Sequence, residues 1–188
     1  MIEKIAGKMA TKQVKNGVID ESQKAVYHYG YTVLMEMSIN IVLTLLVGFC
    51  SGKLLLVILF SLMFIPLRSY CGGWHASRDW MCMLFSLGTL LTVVLVEQFP
   101  LMLWIILFEV ISLVVILLLA PMDSNTKRLN EKEKRAFRNI ARLILILETL
   151  ILVFAIYFNY KILTVSIILA HIFQSISLML PKVKSDKE

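Results

Sequence analysis

The sequence predicts an all-α polytopic membrane protein, with about six transmembrane or partly spanning helices behind an amphipathic N-terminal segment. Three observations predict it. Of the 188 residues, 59% are hydrophobic and only 17% are charged, with a mean hydropathy of +0.80, which is more apolar surface than one soluble core can bury. Apolar runs near or above the ~18 residues that cross a ~30 Å hydrocarbon layer as helices follow one another along the chain. Finally, lysine and arginine gather in alternate connections between those runs, the pattern by which membrane helices take their orientation.

The elements follow in order. Residues 1–30 carry Lys4, Lys8, Lys12, Lys15 and Lys24, with Ile2, Ile5, Ala6 and Met9 at roughly helical spacing. This suits one or two amphipathic helices in the headgroup region, their lysines toward anionic lipid. The first apolar run begins only at Tyr31, so no cleavable signal peptide is expected. Expected spans are 31–50, 54–67, 80–99, 101–120, 143–158 and 162–180; the second, ending at Pro66 and Arg68, reads as short enough to tilt or to enter without crossing. A basic loop over 121–142 separates the fourth span from the fifth, its Pro121, Asp123 and Asn125 marking a helix end and turn. Residues 31–181 form one membrane domain, and 182–188 a tail. With the N-terminus inside, 17 of the 19 Lys and Arg fall in inside segments, and only Lys53 and Lys161 fall outside. The prediction is a cell-membrane protein with both termini, and the connection after the second span, on the cytoplasmic side.

That connection, within residues 68–82, reads RSYCGGWHASRDWMC and holds the densest group of reactive side chains. A thiol nucleophile needs a thiolate, which an imidazole in hydrogen-bond reach supplies. His75 and Cys82 in one continuous helix would lie ~10.5 Å apart along its axis, too far for proton transfer. If instead Ser77 caps the third span, with Asp79 in its first turn, Cys82 sits near a helix N-terminus, where a thiolate is favoured. Gly72 and Gly73 permit the tight backbone that would return His75 to it, and their amides could face an oxyanion. Asp79 is a candidate orienter of His75, although helix capping explains it as well; Cys71 is a second thiol or a packing residue. A zinc site from Cys71, His75 and Cys82 lacks a fourth ligand and has an unusual spacing, so neither metal nor cofactor is expected. Three cysteines at irregular spacing suggest no disulfide framework.

Arg68, Gly73, His75 and Cys82 spell R-x-x-x-x-G-x-H with a cysteine seven residues beyond the histidine. Joined to the small size, the successive spans and the basic N-terminus, this pattern resembles the accessory gene regulator protein B (AgrB) family, the membrane cysteine endopeptidases of bacterial peptide quorum sensing. The resemblance covers essentially the whole chain. It implies removal of the C-terminal tail of an AgrD-like propeptide to give a cyclic thiolactone or lactone, with Cys82 as nucleophile, His75 as general base and acid, and Arg68 and Gly73 as required site residues. The basic 121–142 segment is also similar to the family's, and Lys127 and Arg128 are candidates for binding an acidic tail. Candidate partners are that propeptide, membrane lipid and a second copy of the chain as a homodimer; nucleic acid is not expected.

The spans also hold Glu36, Asn40, Glu97, Glu109, Glu148, His171 and Gln174, and a charge at bilayer depth costs at least ~2.5 kcal/mol. Glu36 and Glu97 lie near span ends. Glu109, Glu148 and His171 lie deeper and read as a hydrogen-bonded network or, in the rival reading of a small transporter or peptide exporter, as the lining of a path.

Overall fold

The computed structural model describes residues 2–73, 79–97, 103–122 and 130–180. Among them are seven α-helices and no strand: α1 (Ile2–Lys15), α2 (Lys24–Cys50), α3 (Leu54–Cys71), α4 (Asp79–Val96), α5 (Leu103–Leu119), α6 (Glu131–Tyr157) and α7 (Lys161–Met179). α2 to α7 correspond to the six expected spans, and four of them (with the short turn Glu21–Gln23 preceding α2) are long and apolar enough to cross a membrane by length and composition. The chain is an all-α, polytopic membrane protein.

Besides the start of α2 at Lys24, ahead of the expected Tyr31, two boundaries differ from the sequence reading. The short second span is a full 18-residue helix, because α3 runs through Pro66 to Cys71. At 1.5 Å per residue it is about 27 Å long, close to the hydrocarbon thickness. Pro66 removes one backbone donor, which a helix packed among other helices tolerates. Arg68 is therefore the last-turn cation of a helix and not a loop residue. The second difference lies in the basic connection, which is helical from Glu131 onward. The Asn130 N–H donates to the Glu133 carboxylate at 2.9 Å, closing the exposed start of α6. Lys132, Lys134, Arg135, Arg138 and Arg142 thus ride on three helical turns below the apolar part of α6.

α1 folds back on α2. Ile2, Ala6 and Ala10 form its buried face, and His28 Nε2 donates to the Glu3 carbonyl at 3.0 Å. Small side chains on that face allow the two helices to approach closely. The lysines expected to face lipid line, with His28, a cleft of about 940 Å³ between α1 and α2.

α7 is the central helix. Across a membrane-length window 67% of its residues are buried, against 6% for α2, whose surface is left to lipid. Thr164, Ser166, Ala170, Ser175 and Ser177 keep its buried faces narrow, as close helix packing in lipid requires. Ser166 Oγ reaches the Leu56 carbonyl of α3 at 3.3 Å, and Ser175 Oγ donates to Ser112 Oγ of α5 at 3.1 Å. Around α7 lie one apolar cluster of Val57, Phe60, Val93 and Val165 and another of Leu67, Cys71, Ile116, Leu145 and Leu178.

The connections sort to opposite ends of this bundle. At one end Lys53 donates to the Val94 carbonyl at 3.0 Å and to Glu97 at 2.7 Å, and Lys161 lies 3.9 Å from the same carboxylate. Lys53 and Lys161 are the two cations that the charge count assigns to the outside, and the single Glu97 carboxylate lies against both. At the other end α3 stops, and there the chain assembles its second polar site.

Candidate active site

Four contacts fix the end of α3. Gly72 caps the helix with φ 70° and ψ −150°, and its N–H donates to the Arg68 carbonyl at 3.0 Å. That backbone conformation belongs to glycine. The segment after α5 holds the preceding residue, since the Met122 N–H donates to the Cys71 carbonyl at 2.9 Å. From α7, Gln174 Nε2 donates to the Gly72 carbonyl at 2.9 Å. Gly73, with φ 134°, lies so close to α7 that a Cβ there would stand 2.6 Å from Ser177 Oγ. Both glycines take the positive-φ backbone that a tight return needs, and neither position admits a side chain; the expected return of His75 toward Cys82 lies outside the described residues.

Arg68 joins the same contact. Its Nη1 donates to Ser177 Oγ at 2.5 Å, and its guanidinium lies over the Phe64 ring, 5.8 Å from the centroid. A cation at a helix C-terminus is also favoured by the helix dipole. Cys71 is fully buried among Leu67, Ile116, Leu145 and Leu178, so it is a packing residue.

Beyond the turn the described residues resume at Asp79, where α4 begins, and Cys82 is the fourth residue of that helix. The side chains of Asp79 and Cys82 lie outside the described residues, as do His75, Ser77, Lys127 and Arg128. Among the described residues no group of three or more histidine, cysteine or acidic side chains could hold a metal.

Two α7 residues belong to the site as well. In the sequence Gln174 is only one of several polar residues in a span. Ser177 carries no signal alone; the available one is the His171, Gln174, Ser177 spacing of three, which puts all three on one side of α7. Gln174 and Ser177 are both fully buried, and Gln174 Oε1 has no partner among the described residues. An unpaired buried acceptor of this kind costs about 1–3 kcal/mol.

Halfway along α7, His171 brings together the other deep residues. Its Nδ1 is 2.5 Å from Glu109 Oε1 on α5, and its Nε2 is 3.0 Å from Glu148 Oε2 on α6. His171 has no exposed surface, and the two carboxylate residues retain 5% and 4%. Of the two readings of these residues, this geometry is that of a hydrogen-bonded network linking three helices.

A family model described as AgrB, accessory gene regulator B, matches residues 2–178. Searches of curated proteins and of solved structures give no match.

Proposed function

This chain belongs to the accessory gene regulator B family, and we propose accordingly that it is a membrane cysteine endopeptidase whose nucleophile is Cys82 and whose general base and acid is His75. Membership places it in the accessory gene regulator system, whose peptide substrate is an AgrD-type propeptide. The observation that supports the reading is the Gly72–Gly73 pair: two positive-φ glycines with no room for side chains, held by α7 and bordered by Arg68, the second of them two residues ahead of His75 in the sequence. The helical assignment of Asp79–Val96 is compatible with the other half, in which Cys82 lies within about the first two turns of a helix that starts near Ser77, where a helix N-terminus stabilises a thiolate.

In this scheme His75 takes the Cys82 proton, and the thiolate attacks the scissile carbonyl of the propeptide. The C–N bond breaks, the proton passes from His75 to the leaving amine of the C-terminal tail, and an acyl-thioester remains on Cys82. A thiol or hydroxyl of the bound peptide then attacks that thioester, Cys82 leaves with a proton, and the ring closes as a thiolactone or lactone. For a thiolactone the exchange is between like bonds, so proximity has to drive it and water has to be kept out. An active site at the cytoplasmic membrane edge meets both needs. Arg68 suits a bidentate contact to a substrate carbonyl or carboxylate, Asp79 is a candidate orienter of His75, and Lys127 and Arg128 would attract an acidic tail. The net charge of +6 favours the same partner. The surrounding lipid and a second copy of the chain complete the partners of this reading.

The test is cleavage of a co-expressed AgrD-type propeptide in membranes. Cys82→Ala and His75→Ala should each abolish it while the protein still accumulates, and cleavage by either variant would end the protease reading. Intact cleavage with export lost in Glu148→Gln would favour the exporter reading instead.

A further inference from the structure

We propose that Gln174 and Ser177 of α7 are positioning residues of the active site, holding the Gly72–Gly73 backbone and the Arg68 guanidinium in place. The inference rests on the protease reading and deepens it. Three contacts converge on the turn from α7. Gln174 Nε2 fixes the carbonyl of Gly72 at 2.9 Å. Ser177 Oγ accepts from Arg68 Nη1 at 2.5 Å, and the same oxygen occupies the space that any side chain at position 73 would need.

The chemistry of Gln174 separates positioning from packing. A buried amide used only to fill space would be replaced to advantage by leucine, which needs no partner. Here the amide is fully buried, spends one donor on a single backbone carbonyl and leaves Oε1 unpartnered among the described residues. Its conformation is set by the bond to Gly72. Ser177 is likewise buried completely, yet it faces a guanidinium rather than a backbone carbonyl of its own helix. Both residues lie over 100 positions from Gly72 and Arg68 in sequence, so the last helix of the bundle, and not the local chain alone, holds these two groups.

The experiment uses the full chain in membranes, in a Cys50→Ser background, with Gln174→Leu, Gln174→Asn and Ser177→Ala as variants and a synthetic AgrD-type propeptide as probe. Three quantities are read: kcat and KM for cleavage, the rate of Cys82 alkylation by iodoacetamide at pH 7, and the midpoint of thermal unfolding in detergent. Gln174→Leu should lower kcat on the order of 10- to 100-fold with KM changed less than about threefold, slow alkylation, and leave the unfolding midpoint equal or raised. Ser177→Ala should lower kcat by a smaller factor in the same pattern. Gln174→Asn, which keeps the amide on a shorter arm, should recover part of the loss. Wild-type kcat and alkylation in Gln174→Leu and Ser177→Ala, or losses of activity that merely follow a lowered midpoint, overturn the positioning role while leaving the protease reading intact. Cleavage that survives Cys82→Ala in the same assay overturns the protease reading and this inference with it.

Discussion

Two of the places where α7 meets polar partners are built in different ways. Halfway along the helix, His171 ties to Glu109 and Glu148, three side chains from three helices joined to one another. One turn further on, Gln174 and Ser177 reach past side chains to a backbone carbonyl, a guanidinium and a glycine turn. The first arrangement sets which helices pack together, since in lipid an unpaired carboxylate or imidazole has no water to satisfy it. The second leaves the packing to Leu67, Cys71, Ile116 and Leu178 nearby and fixes instead the Gly72 backbone and the Arg68 guanidinium at the end of α3. Polar groups buried in the same helix thus serve assembly in one place and aim in the other.

Mutation should separate the two. The largest effect belongs to the chemistry itself: Cys82→Ala should reduce propeptide cleavage by at least about 10⁴-fold, roughly 5 kcal/mol of barrier, with the unfolding midpoint unmoved. Cleavage kinetics and a melting curve on one preparation check both halves. His171→Leu should do the reverse. It leaves two buried carboxylates facing one another and should destabilise the bundle by about 3 kcal/mol, measured by denaturant titration in micelles. A fully stable His171→Leu protein would erase the contrast between the clusters.

Gly73→Ala probes the turn. The added methyl meets Ser177 Oγ and sits on a φ of 134°, so about 2 kcal/mol of local strain is expected. Activity should fall far more than the unfolding midpoint does, and pairing the change with Ser177→Gly should recover part of it by clearing the space. If the double variant is no better than the single one, the close approach to α7 is not what excludes the methyl. The smallest effect is expected at the opposite end of the bundle, where Lys53→Ala removes two part-buried bonds, to Glu97 and to the Val94 carbonyl. A loss of about 1 kcal/mol in stability with unchanged cleavage would show that the two ends are energetically independent.

Much of this architecture is legible in the amino-acid sequence. The six apolar helices follow from apolar runs, and the shared end of the connections around Lys53 and Lys161 from the positions of those cations, because hydropathy and charge are properties of the local chain. The cost of burying Glu109, Glu148 and His171 is equally readable, as is the need for a special backbone at Gly72 and Gly73. The extent of α3 is not, because Pro66 and Arg68 signal a helix end locally, while helices packed around α3 carry it through both. The basic stretch after Asn130 misleads in the same manner: its charge reads as loop, yet a capped helix start and good helix-forming residues make it the first turns of α6.

Sequence alone therefore dictates the solvent: a chain this apolar has to satisfy its backbone in helices, and its cations set which connections lie together. It also dictates the chemical repertoire of residues 68–82. Partnership is the work of the tertiary structure. His171 finds Glu109 across 62 residues, Gln174 finds the Gly72 carbonyl across 102, and Arg68 finds Ser177 across 109. No local pattern encodes such pairs, because they depend on which faces of α3, α5, α6 and α7 meet. Those faces are chosen by the packing of small and apolar side chains over the whole bundle at once.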